Sequence, residues 1–195
     1  MIRIYIILSL LPLFSCGQTN FMFKLEKSYP VSLDKAVCIS VTDCFCLSSD
    51  SNIYNLMIYY SDEECETKRL IDTVEFSPYN STIHSFKSKK NNSYVVLLET
   101  EYEYIPLIQA YYITEGKLAK IGELKISLPC QSCESFEYPI KEIQILQENE
   151  EIEISFLKDV NYKDKDSSEW KLSKAGALKY SFNTVSGELR KKIDR

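Results

Sequence analysis

The 195-residue chain is poor in several things that chemistry usually needs: it has one histidine, one tryptophan and five glycines. His84 would have to serve any imidazole-dependent triad alone, and no Gly-x-Ser-x-Gly elbow stands ready to partner it. Gly116, Gly122, Gly176 and Gly187 lie far apart, so no glycine-rich loop can cradle a phosphate, which argues against nucleotide-dependent catalysis. An excess of cations is also missing. With 23 basic and 28 acidic residues the net charge is −5, and the scattered cations offer no clustered face for a nucleic-acid backbone. No apolar stretch is long enough to span a bilayer: Ile4 to Phe14 is about half the roughly 20 residues a membrane helix needs.

What is present is apolar and aromatic. Hydrophobic residues make up 45% of the chain and aromatic residues 12%, including 14 tyrosines, enough to offset chain entropy with a real core. The length is that of one domain with a short appendage.

The first sixteen residues, MIRIYIILSLLPLFSC, carry a cation at Arg3, an apolar run, a small Ser15 and then Cys16, the layout of an export signal. Leu13-Phe14-Ser15-Cys16 resembles the lipobox of bacterial lipoproteins. The resemblance covers this segment alone. It implies a signal peptide over 1–15, cleavage before Cys16, and lipidation of Cys16 with diacylglycerol and an N-acyl chain. Two or more acyl chains hold firmly where one binds marginally. Gly17 is unlike the Asp that resembles an inner-membrane retention signal, so the resemblance points to an outer-membrane lipoprotein facing the periplasm or the surface. Cleavage would leave 180 residues with charge 22 − 28 = −6.

Residues 16–29 read as the lipidated N-terminus and a tether, with an all-β domain over 30–195. Period-two alternation, broken by polar turns every ten or so residues, predicts a single antiparallel meander, as a sandwich or open barrel with a partial propeller as the alternative. Val37, Ile39, Val41, Phe45 and Leu47 share one parity and read as one long strand. Ser48 to Asn52 reads as a turn and Ile53 to Tyr60 as the returning strand, with Leu47 opposite Ile53. Further strands are expected at Ile71–Phe76, Thr82–Lys87, Tyr94–Glu99, Leu107–Thr114, Leu118–Ile126, Lys141–Gln147, Ile152–Leu157, Leu178–Asn183 and Glu188–Lys192. Asn161 to Glu169 reads as a long polar loop before Trp170.

Six cysteines remain beside Cys16: Cys38, Cys44, Cys46, Cys65, Cys130 and Cys133. An even number in an exported chain reads as disulfides. The expected hairpin brings Cys65 near Cys38 and leaves the Cys44/Cys46 pair to meet Cys130/Cys133. Redox catalysis at Cys130-Gln131-Ser132-Cys133 would need a helix N-terminus that the strand-like flanks do not provide, and thiolate zinc would compete with oxidation. No metal site and no cofactor are therefore expected.

Glu99, Glu101 and Glu103 share one side of an extended segment. They read as a solvated acidic face, the alternative being the carboxylates of a hydrolase acting on sugars. Asp164 to Glu169 lacks the turn Gly and terminal Glu of an EF-hand. The functional expectation is a lipid-anchored cell-envelope binding protein, of recognition, inhibitor or immunity type, without catalytic activity. The alternatives are an envelope assembly accessory or a carboxylate-dependent hydrolase. Its partners would be the membrane, through the lipid, and an envelope protein, with no nucleic acid.

Overall fold

A computed structural model describes residues 20–31, 33, 35–40, 43–49, 55–61, 64–75, 81–102, 105–114, 117–129, 137–164 and 167–194. Cys16, Glu103, Cys130 and Cys133 lie outside the described residues. Among the described residues sixteen strands follow one another: β1 (Asn20–Pro30), β2 (Ala36–Cys38), β3 (Cys44–Ser49), β4 (Asn55–Ser61), β5 (Lys68–Glu75), β6 (Thr82–Ser88), β7 (Ser93–Tyr102), β8 (Ile105–Thr114) and β9 (Lys117–Leu124) form the first part. β10 (Ile126–Ser127), β11 (Ile143–Glu148), β12 (Glu151–Phe156), β13 (Val160–Lys163), β14 (Trp170–Ser173), β15 (Leu178–Asn183) and β16 (Leu189–Ile193) complete it. The fold is all-β and every pairing is antiparallel, as the alternation predicts.

The run Tyr94–Leu98 sets the layering, because all five side chains are buried where a one-faced strand would bury every second one. Val95 and Leu97 join an interior core with Phe86, Ile108, Ala110, Ile145, Ile154 and Phe182. Tyr94, Val96 and Leu98 point the other way, into a second core with Val37, Phe45, Leu47 and Ile58. The first core is wrapped by a nine-stranded sheet in the order β16-β15-β12-β11-β1-β6-β7-β8-β9. The second lies between β6–β8 of that sheet and a four-stranded sheet, β2-β3-β4-β5. A three-stranded sheet, β10-β13-β14, adds Ile126, Val160 and Tyr162 to the interior core.

The nine-stranded sheet curls until its two edge strands meet. Leu189 of β16 lies against Gly122 of β9, with its Cδ2 only 2.6 Å from where a Cβ on Gly122 would sit. Gly122 also holds φ +149, a conformation other residues rarely adopt, at a bulge where the register slips between Ala110 and Tyr111. Side-chain contact thus brings the edges together, giving a nearly closed, barrel-like sheet.

Four expectations need correction. The long strand over 37–47 is a hairpin, β2 and β3, reversed by Ser40 and Asp43, whose side chains hydrogen-bond each other. Partners such as Val37 and Phe45 differ by an even number, so parity survives the reversal and cannot reveal it. Leu47 stands opposite Ile58, five residues further on than Ile53. The tether over 16–29 is wrong from Asn20 onward: β1 is an inner strand of the large sheet, paired with β6 and β11, and the β-domain begins at or before residue 20. The polar loop over 161–169 hides the hairpin of β13 and β14, two four-residue strands too short for periodicity to mark.

These register changes redirect the disulfides. Cys38 faces Cys44 across the hairpin and bonds to it, and Cys65 bonds to Cys46. The expected Cys38–Cys65 bridge is absent, and neither thiol of the C-x-C pair is left for Cys130 or Cys133. Peptide mapping without reduction should recover Cys38–Cys44 and Cys46–Cys65 from the oxidised protein; a Cys38–Cys65 peptide would refute this pairing. Reduction should lower stability by about 2–4 kcal/mol per bridge. At the barrel seam, Gly122→Ala should cost about 1–3 kcal/mol in urea unfolding, from backbone strain and crowding of Leu189.

Candidate functional site

The sequence leaves His84 without a partner, and the structure supplies two. His84 lies in β6, in register with Ser28 of β1 on one side and Leu97 of β7 on the other. The residue is buried, with its side chain 9% exposed. Ser28 Oγ lies 2.7 Å from Nδ1, and Glu99 Oε2, diagonally across on β7, lies 3.2 Å from Nε2. The second contact has the distance of an ion pair without the alignment of a straight hydrogen bond. A carboxylate beside Nε2 favours the proton on that nitrogen, which leaves Nδ1 as the acceptor of the Ser28 hydroxyl proton. The three residues lie in a row over three neighbouring strands, joined by a hydrogen bond between Ser28 and His84 and by an ion-pair contact between His84 and Glu99.

A bulge in β1 makes the relay possible. Leu25 pairs with Phe86, and an unbroken antiparallel ladder would then set Lys27 against His84. The register slips by one residue between Leu25 and Lys27, so that Lys27 pairs with Ser85 and Ser28 takes the place opposite His84. Cross-strand partners share a face, so Ser28 joins His84 and Phe86 on the inner face of the barrel-like sheet. Bulges recur beside active sites because one inserted residue re-aims a side chain. Here it exchanges an ammonium for a hydroxyl.

Burial is graded along the relay. Ser28 is exposed, the Glu99 side chain retains 15% of its surface and the imidazole is buried. Ser28 is flanked on its strand by exposed Pro30 and by Leu25 at 41% exposure. Glu99 therefore departs from the solvated row expected of Glu99, Glu101 and Glu103. Glu101 continues β7 opposite Pro106.

Two further polar clusters lie on the other side of the β6–β8 wall. Asp72 of β5 accepts hydrogen bonds from Tyr111 of β8 and from Lys120 of β9, pinning the four-stranded sheet to the large one. Burial, with Asp72 adding to it, raises the Tyr111 phenol well above its ordinary range. Asp43 accepts from Ser40 and Tyr60 beside the Cys38–Cys44 bridge, and burial together with that carboxylate pushes Tyr60 up to about 12. Both clusters join chain segments and keep their phenols protonated. Cys38, Cys44, Cys46 and Cys65 are disulfide-bonded, so none of them is a thiolate ligand for zinc. Among the described residues no group of three His, Cys, Asp or Glu side chains is arranged to hold a metal ion. The carboxylate of Asp164, considered for calcium, holds Lys171 and Lys191.

Sequence reasoning located Glu99 and His84 on strands but missed Ser28, placed in a presumed tether. No local signal marks a bulge whose only sign is the register of its neighbours. Because His84 fills a buried site and lies against Glu99, His84→Ala should destabilise by about 1–3 kcal/mol in urea unfolding. An unchanged midpoint would mean that the relay is not formed.

Comparison of the chain with family models, curated proteins and solved structures finds no match to any of them.

Proposed function

We propose that the chain is an exported, lipid-anchored β-domain that works in the cell envelope by binding a protein partner. One observation carries the compartment: Cys38–Cys44 and Cys46–Cys65 are disulfides, which persist where thiols are kept oxidised. It agrees with the export-type leader and with the lipobox-like Leu13-Phe14-Ser15-Cys16. The anchor would be lipidated Cys16 on the outer membrane.

Binding has its support in β5. This eight-residue strand ends the four-stranded sheet, and among the described residues nothing pairs with its outer edge. Lys68, Arg69 and Leu70 are exposed on it, with Leu70 at 53%. An open edge offers main-chain hydrogen bonds to an added strand, and the cations discourage self-association. A partner that adds an extended, acidic segment there fits both features, and an assembly accessory would use the same edge.

Two measurements test the reading. The native protein should partition into detergent and carry the mass of a lipidated Cys16, whereas Cys16→Ser should partition into water. A stoichiometric envelope protein should cross-link to the wild type and be lost with Leu70→Pro, which disturbs β5 as a template for an added strand. Equal partitioning of both proteins at the unmodified mass would refute the anchor, and partner capture that survives Leu70→Pro would refute the edge.

A further inference from the structure

We propose that Ser28, His84 and Glu99 form a hydrolytic site in which Ser28 is the nucleophile, acting on carboxylic esters with an apolar acyl group. The proposal stands on the geometry of the relay and is independent of the binding reading.

A serine hydroxyl is a weak nucleophile until a base takes its proton. His84 Nδ1, at 2.7 Å, is within the reach a general base needs. Glu99, at an ion-pair distance of 3.2 Å from Nε2, favours the tautomer that accepts at Nδ1 and would stabilise the imidazolium that forms. Solvent access is distributed as such a site requires, with the nucleophile exposed and the base shielded. The bulge that sets Ser28 rather than Lys27 opposite His84 is a second, backbone-level observation pointing to the same residue.

The substrate class follows from the surroundings. Ser28 shares its face with Leu25, which is 41% exposed and gives the acyl part an apolar side chain to lie against. An ester also makes the smaller demand, since its alcohol leaves more readily than the amine of an amide. In the forward step the Ser28 Oγ–carbonyl carbon bond forms while the hydroxyl proton passes to His84 Nδ1. The carbon–oxygen bond to the alcohol then breaks, and the leaving oxygen takes the proton from His84. Water next adds to the acyl-Ser28 carbonyl, giving a proton to His84. The bond to Ser28 breaks and Oγ recovers that proton. One ester and one water become one carboxylic acid and one alcohol, with no oxidant or cofactor.

The test uses the full chain in detergent micelles with 4-nitrophenyl butyrate, and mass spectrometry of the acid-quenched protein. Wild type should release nitrophenolate in excess of buffer and carry a butyryl group on the peptide containing Ser28. Ser28→Ala, a change at an exposed position of β1, should lose both signals. His84→Gln should slow release by about 10²–10⁴-fold, and Glu99→Gln should slow it less while leaving Ser28 acylated. Wild type no faster than Ser28→Ala, or acylation confined to other residues, overturns the proposal. Near-UV circular dichroism of each variant confirms that it is folded. Anchoring through Cys16 and partner capture at β5 are read separately, so failure here leaves that reading standing and its failure leaves this one.

Discussion

The strand β7 has to be apolar on both faces, and most of the architecture follows from that constraint. Val95, Val96, Leu97 and Leu98 are each 0–2% exposed, alternating between two cores. Burying one such side chain contributes about 1.5–3 kcal/mol. Withdrawing either core would therefore expose half of this strand and the matching faces of β6 and β8. The barrel-like sheet and the four-stranded sheet are coupled through a shared wall. Polar groups within such a wall need partners, since an unsatisfied buried group costs about 1–3 kcal/mol. Asp72 answers Tyr111 on one side of the wall, and on the other Ser28 answers His84 Nδ1 while Glu99 lies at ion-pair distance from Nε2.

That double burial explains which parts of the fold were legible. Strands β6 to β8, β11, β12 and β15 were found within a few residues because each is long, apolar and bounded by polar turns. The two-residue turn at Asn149-Glu150 is one of the polar turns that separate the strands, and Asn149 there adopts φ 54, a conformation tight hairpins call for. Alternation failed where two geometries share one parity. Val37 and Phe45 face the same core whether they lie on one strand or on two opposed strands, so the β2–β3 hairpin was invisible and the disulfide pairing went wrong with it. β1 failed for a different reason: only Phe23 of Met22 to Ser28 is buried, so its composition resembles a linker although its backbone is paired on one or both sides.

The candidate site was less legible than the fold, because it depends on register, which is a property of pairs. Thr82-Ile83-His84-Ser85-Phe86 announces a strand and gives no hint of which residue faces His84 from β1. A one-residue slip decides it, since Lys27 in that place would set an ammonium against the imidazole and leave no hydroxyl. Glu99 was read as the first of three solvated carboxylates because alternation alone cannot separate the inner face of a curled sheet from an exposed one. The barrel curvature makes the difference, and it rests on contacts as remote as Leu189 with Gly122.

Three local choices at this site run against stability. A histidine occupies a buried position beside Phe86 and Leu97, where an apolar residue would complete the wall. A carboxylate is drawn to 15% side-chain exposure on the same face, where an apolar residue would pack without a polar partner. A bulge interrupts the ladder of β1 between Leu25 and Lys27, giving up regular pairing. Each departure alone would be an ordinary irregularity. Together they meet at one exposed hydroxyl, and each is needed for that hydroxyl to have a base and for the base to have a carboxylate. Proteins depart from local consistency at functional sites and compensate elsewhere. Here the compensation lies in the two cores that meet at β7 and in the disulfides that tie β2 to β3 and β3 to the turn before β5.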